Sequence, residues 1–400
     1  MHRLGYTRAG NTRGAPLAII HGWGCDSSCM MPLASMFPDR DIYLIDLPGY
    51  GKSRHLASIA DDFSATNYLL LNTLPMGCDL MSWSFGSIYA LRAISTLYNP
   101  CINISSFRSG ILSNPNIRAL DEFSAHHPLT TLQTPHTSVM QAALAAEQAV
   151  REHQGGSGSA ACASIPAGQG PSCPINLLAA LSKSRPFIRS LVTVCGSPRF
   201  PSDPNWKGMS AVKVLKCNTK LNEHRMKRIL NIFYRMIVSS PLQGECSCAS
   251  QHAASFLKHR PNIPYEVLMA GIRMVTFIDE RPSMEHLKVP SLHLFGRNDP
   301  LVPCSLGAYF EQYPNHSSFV FQHSSHSPMF TEPELFGSVV TTFLENLDIS
   351  ELRSQSNQYE YNETGSMPGR NSPGTSPHNS ASSGNGNGSS SSSSNDDCSA

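Results

Sequence analysis

Ser82-Trp83-Ser84-Phe85-Gly86 follows the short apolar run Cys78-Asp79-Leu80-Met81, a spacing that predicts a strand ending in a sharp turn with the Ser84 hydroxyl lifted clear of the backbone. Such a turn needs small residues two before and two after the nucleophile, because strand and following helix pass close together there. Gly86 meets that need, and Ser82 stands where glycine is usual but is nearly as small. A serine hydroxyl becomes a nucleophile when an imidazole takes its proton and a carboxylate fixes the imidazole tautomer. Downstream, Ser291 to Phe295 reads as a buried strand followed by a turn carrying Asp299, and Ser318 to Gln322 as another strand leading into His323-Ser-Ser-His326-Ser-Pro. Asp299 and His326 complete the order nucleophile, acid, base. Asp299 alone would be an ordinary turn-capping residue, and His323 is a rival base that spacing does not exclude. The chemistry is acyl transfer.

In acyl transfer the developing oxyanion needs N–H donors already in place, commonly the amide after the nucleophile and one from an earlier strand–loop junction. Phe85 N–H meets the first requirement. For the second, Ala15 to Ile20 reads as an apolar strand opening into His21-Gly22-Trp23-Gly24, whose glycines let the backbone approach a substrate closely, so Trp23 N–H is the candidate. The Trp23 ring is free for a second job, filling a core gap.

These residues need a scaffold that aligns strand ends. Apolar strands at Leu17 to Ile20, Ile42 to Ile45, Asp79 to Ser82, Ile188 to Val194, Ser291 to Phe295 and Ser318 to Gln322 alternate with helical stretches, including Phe85 to Tyr98 and Glu332 to Asn346. That alternation predicts an α/β fold, a mostly parallel sheet covered by helices on both faces, with catalytic loops at the carboxyl ends of its strands. Residues 1–100 form the first part of the core, 186–199 a core strand and 286–349 the last part. Residues 200–285 read as a helical cap over the site. Met226, Ile229, Leu230, Phe233 and Ile237 fall on one helical face, opposite Lys220, His224, Lys227, Arg228 and Arg235. Residues 101–185 are an insertion with one helical patch, Ser138 to His153, and a Gly/Pro/Ser-rich stretch that predicts a mobile surface segment. Residues 350–400, rich in Ser, Asn, Gly and Pro, are expected to be a disordered tail.

Net charge is +1 over 400 residues, which argues for neither nucleic-acid nor membrane attraction. No apolar run approaches the length of a membrane span, residues 1–15 have no apolar core, and a cytoplasmic protein is expected. The 12 cysteines are scattered. Cys25/Cys29 and Cys246/Cys248 lack a second pair at zinc-ligand spacing, so no metal is expected and the thiols are expected free. Cys195, in a predicted core strand, reads as a small hydrophobe. Gly51-Lys52-Ser53 mimics the end of a phosphate-binding loop, but Asp46 stands where that motif needs glycine, so Asp46-Leu-Pro-Gly-Tyr-Gly51 reads as a tight turn.

His21-Gly-Trp-Gly24, Asp46-Leu-Pro-Gly-Tyr-Gly51-Lys-Ser53, Trp83-Ser84-Phe85-Gly86, Leu191-Val-Thr-Val194 with Ser197-Pro198, Trp206-Lys-Gly208, Asp299-x-Leu-Val-Pro303 and His326-Ser-Pro328 together resemble the α/β-hydrolase superfamily. Within it, the chain looks most like the pimeloyl-acyl-carrier-protein methyl ester carboxylesterases of biotin synthesis, over residues 3–100 and 186–347. The stretch Leu191 to Gly208 is the more specific part, since its Ser-Pro-x-Phe and Trp-x-Gly elements have no general catalytic reason to occur. The resemblance implies a serine carboxylesterase with no cofactor, acting on a pimeloyl methyl ester borne by acyl carrier protein. It implies substrate contacts at Trp23, Ser84, Phe85 and His326, and at a helix segment Phe233, Tyr234, Arg235, Met236 and Ile237. Residues 207–235 hold eight Lys/Arg against the single acid Glu223. Lys220, Arg225, Lys227, Arg228 and Arg235 are the expected docking face for the acidic carrier. The alternative is a general short-chain carboxylesterase or C–C bond hydrolase of the same fold.

Overall fold

The computed structural model describes residues 2–99, 101–115, 117–118, 138–154, 187–239, 247–258 and 260–364. Its elements in chain order are β1 (Tyr6–Gly10), β2 (Pro16–Ile20), α1 (Ser27–Met36), β3 (Asp41–Ile45), α2 (Phe63–Thr73), β4 (Cys78–Trp83), α3 (Gly86–Tyr98), α4 (Ile104–Leu112), α5 (Val139–Gln154) and β5 (Ile188–Val194). After these come α6 (Ala211–Lys220), α7 (Glu223–Ile237), α8 (Ser247–Lys258), α9 (Tyr265–Phe277), β6 (Ser291–Gly296), β7 (His316–Phe321) and α10 (Pro333–Thr364). The strands form one seven-stranded sheet in the order β1-β3-β2-β4-β5-β6-β7. All pairings are parallel except β1 with β3.

Alternation along each strand divides the core in two. Leu17 and Ile19 of β2 face one cluster, with Ile42, Leu44, Met81 and Trp83. Ala18 and Ile20 face the other, with Tyr43, Ile45 and Leu80. β4, buried at every position, is the central strand, and it ends where Ser84 begins. Both faces being covered explains why these strands read as continuous apolar runs.

Several expectations need correction. β1 was not expected, because Tyr-Thr-Arg-Ala-Gly lacks an apolar run. It is an edge strand held by ladder bonds to β3, with Arg8 paired to Asp41 at 2.7 Å. The insertion is not a surface segment throughout. Ile104, Ile111, Val139, Met140 and Ala143 are buried in the first core cluster, Val139 N–H donates to Leu74 O at 2.9 Å, and Ser105 N–H to the Glu147 carboxylate at 3.0 Å. Average composition hid these apolar helix faces. Its Gly/Ser-rich part, 155–186, lies outside the described residues.

The last helix, expected to end at Asn346, runs to Thr364 because no glycine or proline intervenes between Gly337 and Gly365. The described residues through Glu345 belong to one compact unit and those from Asn346 to Thr364 to a second; residues 365–400 of the expected tail lie outside the described residues. The Asp46 turn binds its own anion. Its carboxylate accepts from Ser27 N–H at 2.7 Å and Lys52 N–H at 2.9 Å, and it occupies the space a Cβ on Gly51 would need. No helix among the described residues is long and apolar enough to cross a membrane.

A buried histidine chain joins β5, β6 and β7. Thr193 Oγ1 and His293 Nδ1 are 2.8 Å apart, His293 Nε2 and His316 Nδ1 3.0 Å, and His316 Nε2 lies 3.3 Å from Leu287 O. Burial pushes both imidazole pKa values down, with the neighbouring imidazole adding to this for His293 and Lys288 for His316. Both are therefore neutral when folded, whereas in the unfolded chain they bind protons below about pH 6.5. Stability should be complete above that pH and fall as pH drops through it. Urea unfolding between pH 7.5 and 5.5 checks this, and His293→Asn should flatten the dependence. A wild-type midpoint that does not move would refute it.

Candidate active site

The chain reverses sharply after β4. Ser84 sits at φ 51°, a left-handed conformation that costs a non-glycine residue about 1 kcal/mol. The turn is held by Ser84 N–H to Val194 O at 2.8 Å and Ser87 N–H to Ser84 O at 2.9 Å. A side chain at Gly86 would meet His21 O at 2.8 Å and Ile20 Cγ2 at 2.9 Å, which is why a small residue is required there. Ser82 is fully buried, and its Oγ has no hydrogen-bond partner among the described residues. A lone buried hydroxyl carries its desolvation cost uncompensated. Ser82→Ala should raise the unfolding free energy by about 1 kcal/mol, measured by urea titration. A loss of stability would show that the hydroxyl has a partner.

His326 follows β7 and is fully buried. Its Nε2 lies 2.6 Å from Ser84 Oγ and its Nδ1 2.7 Å from Asp299 Oδ2. A carboxylate only accepts, so Nδ1 carries the proton and Nε2 is left to accept from the Ser84 hydroxyl. Asp299 is itself held: Oδ1 accepts from Leu301 N–H at 2.8 Å and Val302 N–H at 3.1 Å. Asp299 thus caps its own turn through Oδ1 and faces His326 through Oδ2.

His323, the rival, is exposed, and its N–H donates to Glu332 at 3.1 Å. Sequence reasoning missed what holds the His326 loop. Trp83 Nε1–H donates to His326 O at 2.8 Å, Ser325 Oγ–H to Met236 O at 3.2 Å, and Ser327 Oγ–H to Ile237 O. The two serines that flank His326, Ser325 and Ser327, were the only signal.

The His21–Gly24 loop is pinned by His21. Leu47 N–H donates to His21 Nε2 at 3.1 Å, so Nδ1 bears the proton and donates to Gly22 O at 2.8 Å. Burial pushes the His21 pKa down against the pull of Asp46, keeping the ring neutral. Gly24 takes φ 73°. Among the described residues neither Trp23 N–H nor Phe85 N–H donates to a protein acceptor. The Trp23 ring is held by Nε1–H to Leu268 O at 2.9 Å and meets Phe233 edge-on at 5.1 Å between centroids.

Ser84 opens onto a cavity of about 190 Å³ whose walls include Trp23, Phe85, Phe200, Ile229 and Phe233. Of the segment Phe233 to Ile237, helical periodicity brings only Phe233 to this cavity. Tyr234 is buried with its hydroxyl donating to Gly24 O at 2.5 Å. Arg235 points to solvent, Met236 is half-buried, and Ile237 packs in the second core cluster. The Ser-Pro-x-Phe and Trp-x-Gly elements form the two sides of a tight hydrogen-bonded turn. Trp206 Nε1–H donates to Arg199 O at 2.7 Å, Met209 N–H to Phe200 O at 2.8 Å, and a side chain at Gly208 would strike Phe200 O. That turn sets Phe200 in the cavity wall.

The alpha/beta hydrolase family profile matches residues 17–338, a span that holds every residue of this constellation. The chain belongs to the alpha/beta hydrolase family. Among curated relatives, the pimeloyl-[acyl-carrier protein] methyl ester esterase of Vibrio vulnificus (strain YJ016) is 22% identical over 333 residues, 83% of this chain and 94% of the relative. Among solved structures, an esterase from Rhodococcus sp. ECU1013 is 18% identical with a TM-score of 0.51, over 86% of this chain and 94% of that one. A bromoperoxidase from Bacillus anthracis is 15% identical with a TM-score of 0.55, over 85% and 94%. The two structures share the hydrolase fold. As in any alpha/beta hydrolase, what it acts on is decided by the cavity and cap rather than by the sheet.

Proposed function

We propose that this hydrolase is a serine carboxylic ester hydrolase that removes the methyl group from a pimeloyl methyl ester carried by acyl carrier protein, releasing methanol. The observation that carries ester hydrolysis is His326 bridging Ser84 Oγ and Asp299 Oδ2 at 2.6 and 2.7 Å. Ser84 attacks the ester carbonyl as His326 Nε2 takes its proton, and the Asp299 carboxylate stabilises the imidazolium. Trp23 N–H and Phe85 N–H receive the oxyanion. His326 returns the proton to the departing methoxide, and a water activated by the same nitrogen frees the acid. The sequence requires no cofactor.

The acyl and carrier assignments rest on different features. An apolar cavity suits a methylene chain, and the curated relative bears that substrate in its name. Lys220, Arg225, Lys227, Arg228 and Arg235 all lie exposed on α6 and α7. Lys227 reaches Glu223 at 3.2 Å, but an exposed pair of this kind leaves the local field basic. An acidic carrier would be drawn to it, chiefly through a faster encounter, within roughly 8 to 10 Å at physiological salt.

Reversing Arg225 and Arg228 to Glu should lower kcat/KM on carrier-bound ester about tenfold at low salt and leave a small free ester unaffected. Equal effects on both substrates, or none, would favour the general short-chain esterase.

A further inference from the structure

β5 ends at Val194, so Cys195 lies just past the expected core strand, in the turn that follows. It takes φ 47°, an unusual strain for a residue that is neither glycine nor asparagine. The turn is clamped by Cys195 N–H to Leu294 O at 2.7 Å, and the thiol sulfur lies 3.8 Å from Ser325 O. Both the residue and its sulfur are therefore held against the acid–base pair. The ligand atoms of Cys195, Asp299 and His326 all fall within 4.8 Å of one another, the one such group of three His, Cys, Asp or Glu among the described residues.

We propose that Cys195, Asp299 and His326 form a latent inhibitory site for a thiophilic divalent cation of the zinc class. Thiolate, carboxylate and imidazole are the ligand types zinc takes, and bonds of about 2.0 to 2.3 Å would draw the three atoms to within about 3 to 4 Å of one another. One thiolate and one carboxylate neutralise a divalent ion, so the assembled site is uncharged and tolerates burial that each anion alone resists. The remaining position falls to water or the Ser325 carbonyl.

The protons balance as follows. Cys195 loses its thiol proton to solvent, and Asp299 binds as the carboxylate it already is. His326 stays neutral, but its Nδ1 lone pair goes to the metal and its proton moves to Nε2. An Nε2–H cannot accept the Ser84 proton, so the base is lost without any covalent change. The titratable groups facing the thiol are Asp299, from the loop after β6, and His326, from the loop after β7. One proton is released per ion, so capture strengthens as pH rises. Because Cys195 and His326 are fully buried, the ion enters only when the His326 loop opens, and inhibition develops over time instead of on mixing.

The inference rests on His326 being the base, so the test needs a readout besides activity. Zn²⁺ should inhibit wild-type ester hydrolysis slowly and reversibly, with EDTA restoring the rate. In Cys195→Ala, the inhibition constant, taken against that variant's own metal-free rate, should rise at least about tenfold for the lost ligand. Cys195→Ser keeps a side chain of the same shape in the strained turn and serves if the alanine variant does not fold.

Cd²⁺ titration should give a sulfur-to-metal charge-transfer band in wild type that is weaker by one thiolate in the variant, since Cys25, Cys29, Cys78, Cys101, Cys217 and Cys304 are also free. Equal Zn²⁺ inhibition of wild type and variants, no inhibition at all, or an unchanged Cd²⁺ band would each overturn the proposal. A band that weakens as expected while His326→Ala leaves activity intact would instead retain the metal site and reject His326 as the base.

Discussion

Ser84→Ala is expected to lower kcat for ester hydrolysis about a million-fold, because triad members act as a unit and removal of the nucleophile alone loses nearly all their joint effect. What remains should come from binding and the two backbone amides. A fluorophosphonate probe should label Ser84 in wild type and nothing in the variant. His326→Ala should be nearly as inactive, since Nε2 is the atom 2.6 Å from the hydroxyl. His323→Ala should match wild type, its side chain being on the exposed side of the loop. A companion variant separates chemistry from folding: Ser84→Gly relieves the φ 51° strain and should be inactive yet more stable by about 1 kcal/mol. Labelling of a different serine, with turnover retained in Ser84→Ala, would sink the mechanism.

Asp299→Asn is expected to reduce kcat about ten-thousand-fold with little change in stability. The direction follows from the carboxylate's two sides. Oδ1 accepts from the Leu301 and Val302 amides, so the carbonyl of an asparagine must take that position. Its NH₂ group then faces His326 Nδ1 and donates to it. The imidazole proton is driven to Nε2, and the ring can no longer accept from Ser84. A reduction of less than about tenfold would show that Asp299 only caps its turn. Steady-state kinetics, with thermal unfolding as the control, distinguish the two.

Much of this was legible in the sequence because it was local. A nucleophile turn announces itself through the small residue at Gly86 and the apolar run before it, since both are needed within a few residues of Ser84. Six of the seven strands were readable from their apolar residues, most plainly the central ones, which need them because the sheet there is covered on both faces. β1 was missed, since its place depends on pairing with β3 and not on its own composition. The helices of the insertion that pack in the first core cluster were hidden for a related reason: a polar average conceals an apolar stripe until something packs on it.

The sequence by itself determined the order of Ser84, Asp299 and His326, the alternation that stacks their strand ends, and the amphipathic split of α7. Only the tertiary structure placed His326 beside Ser84 and left His323 exposed, because both lie in one loop and the outcome depends on which imidazole the Trp83, Ser325 and Ser327 hydrogen bonds turn inward. It also decided which of Phe233 to Ile237 reaches the cavity, a matter of helix rotation against Trp23. And it moved Cys195 from an inert core position to the side of Asp299 and His326, which no spacing in the chain foretells, since residues about a hundred positions apart meet only where neighbouring parallel strands end side by side.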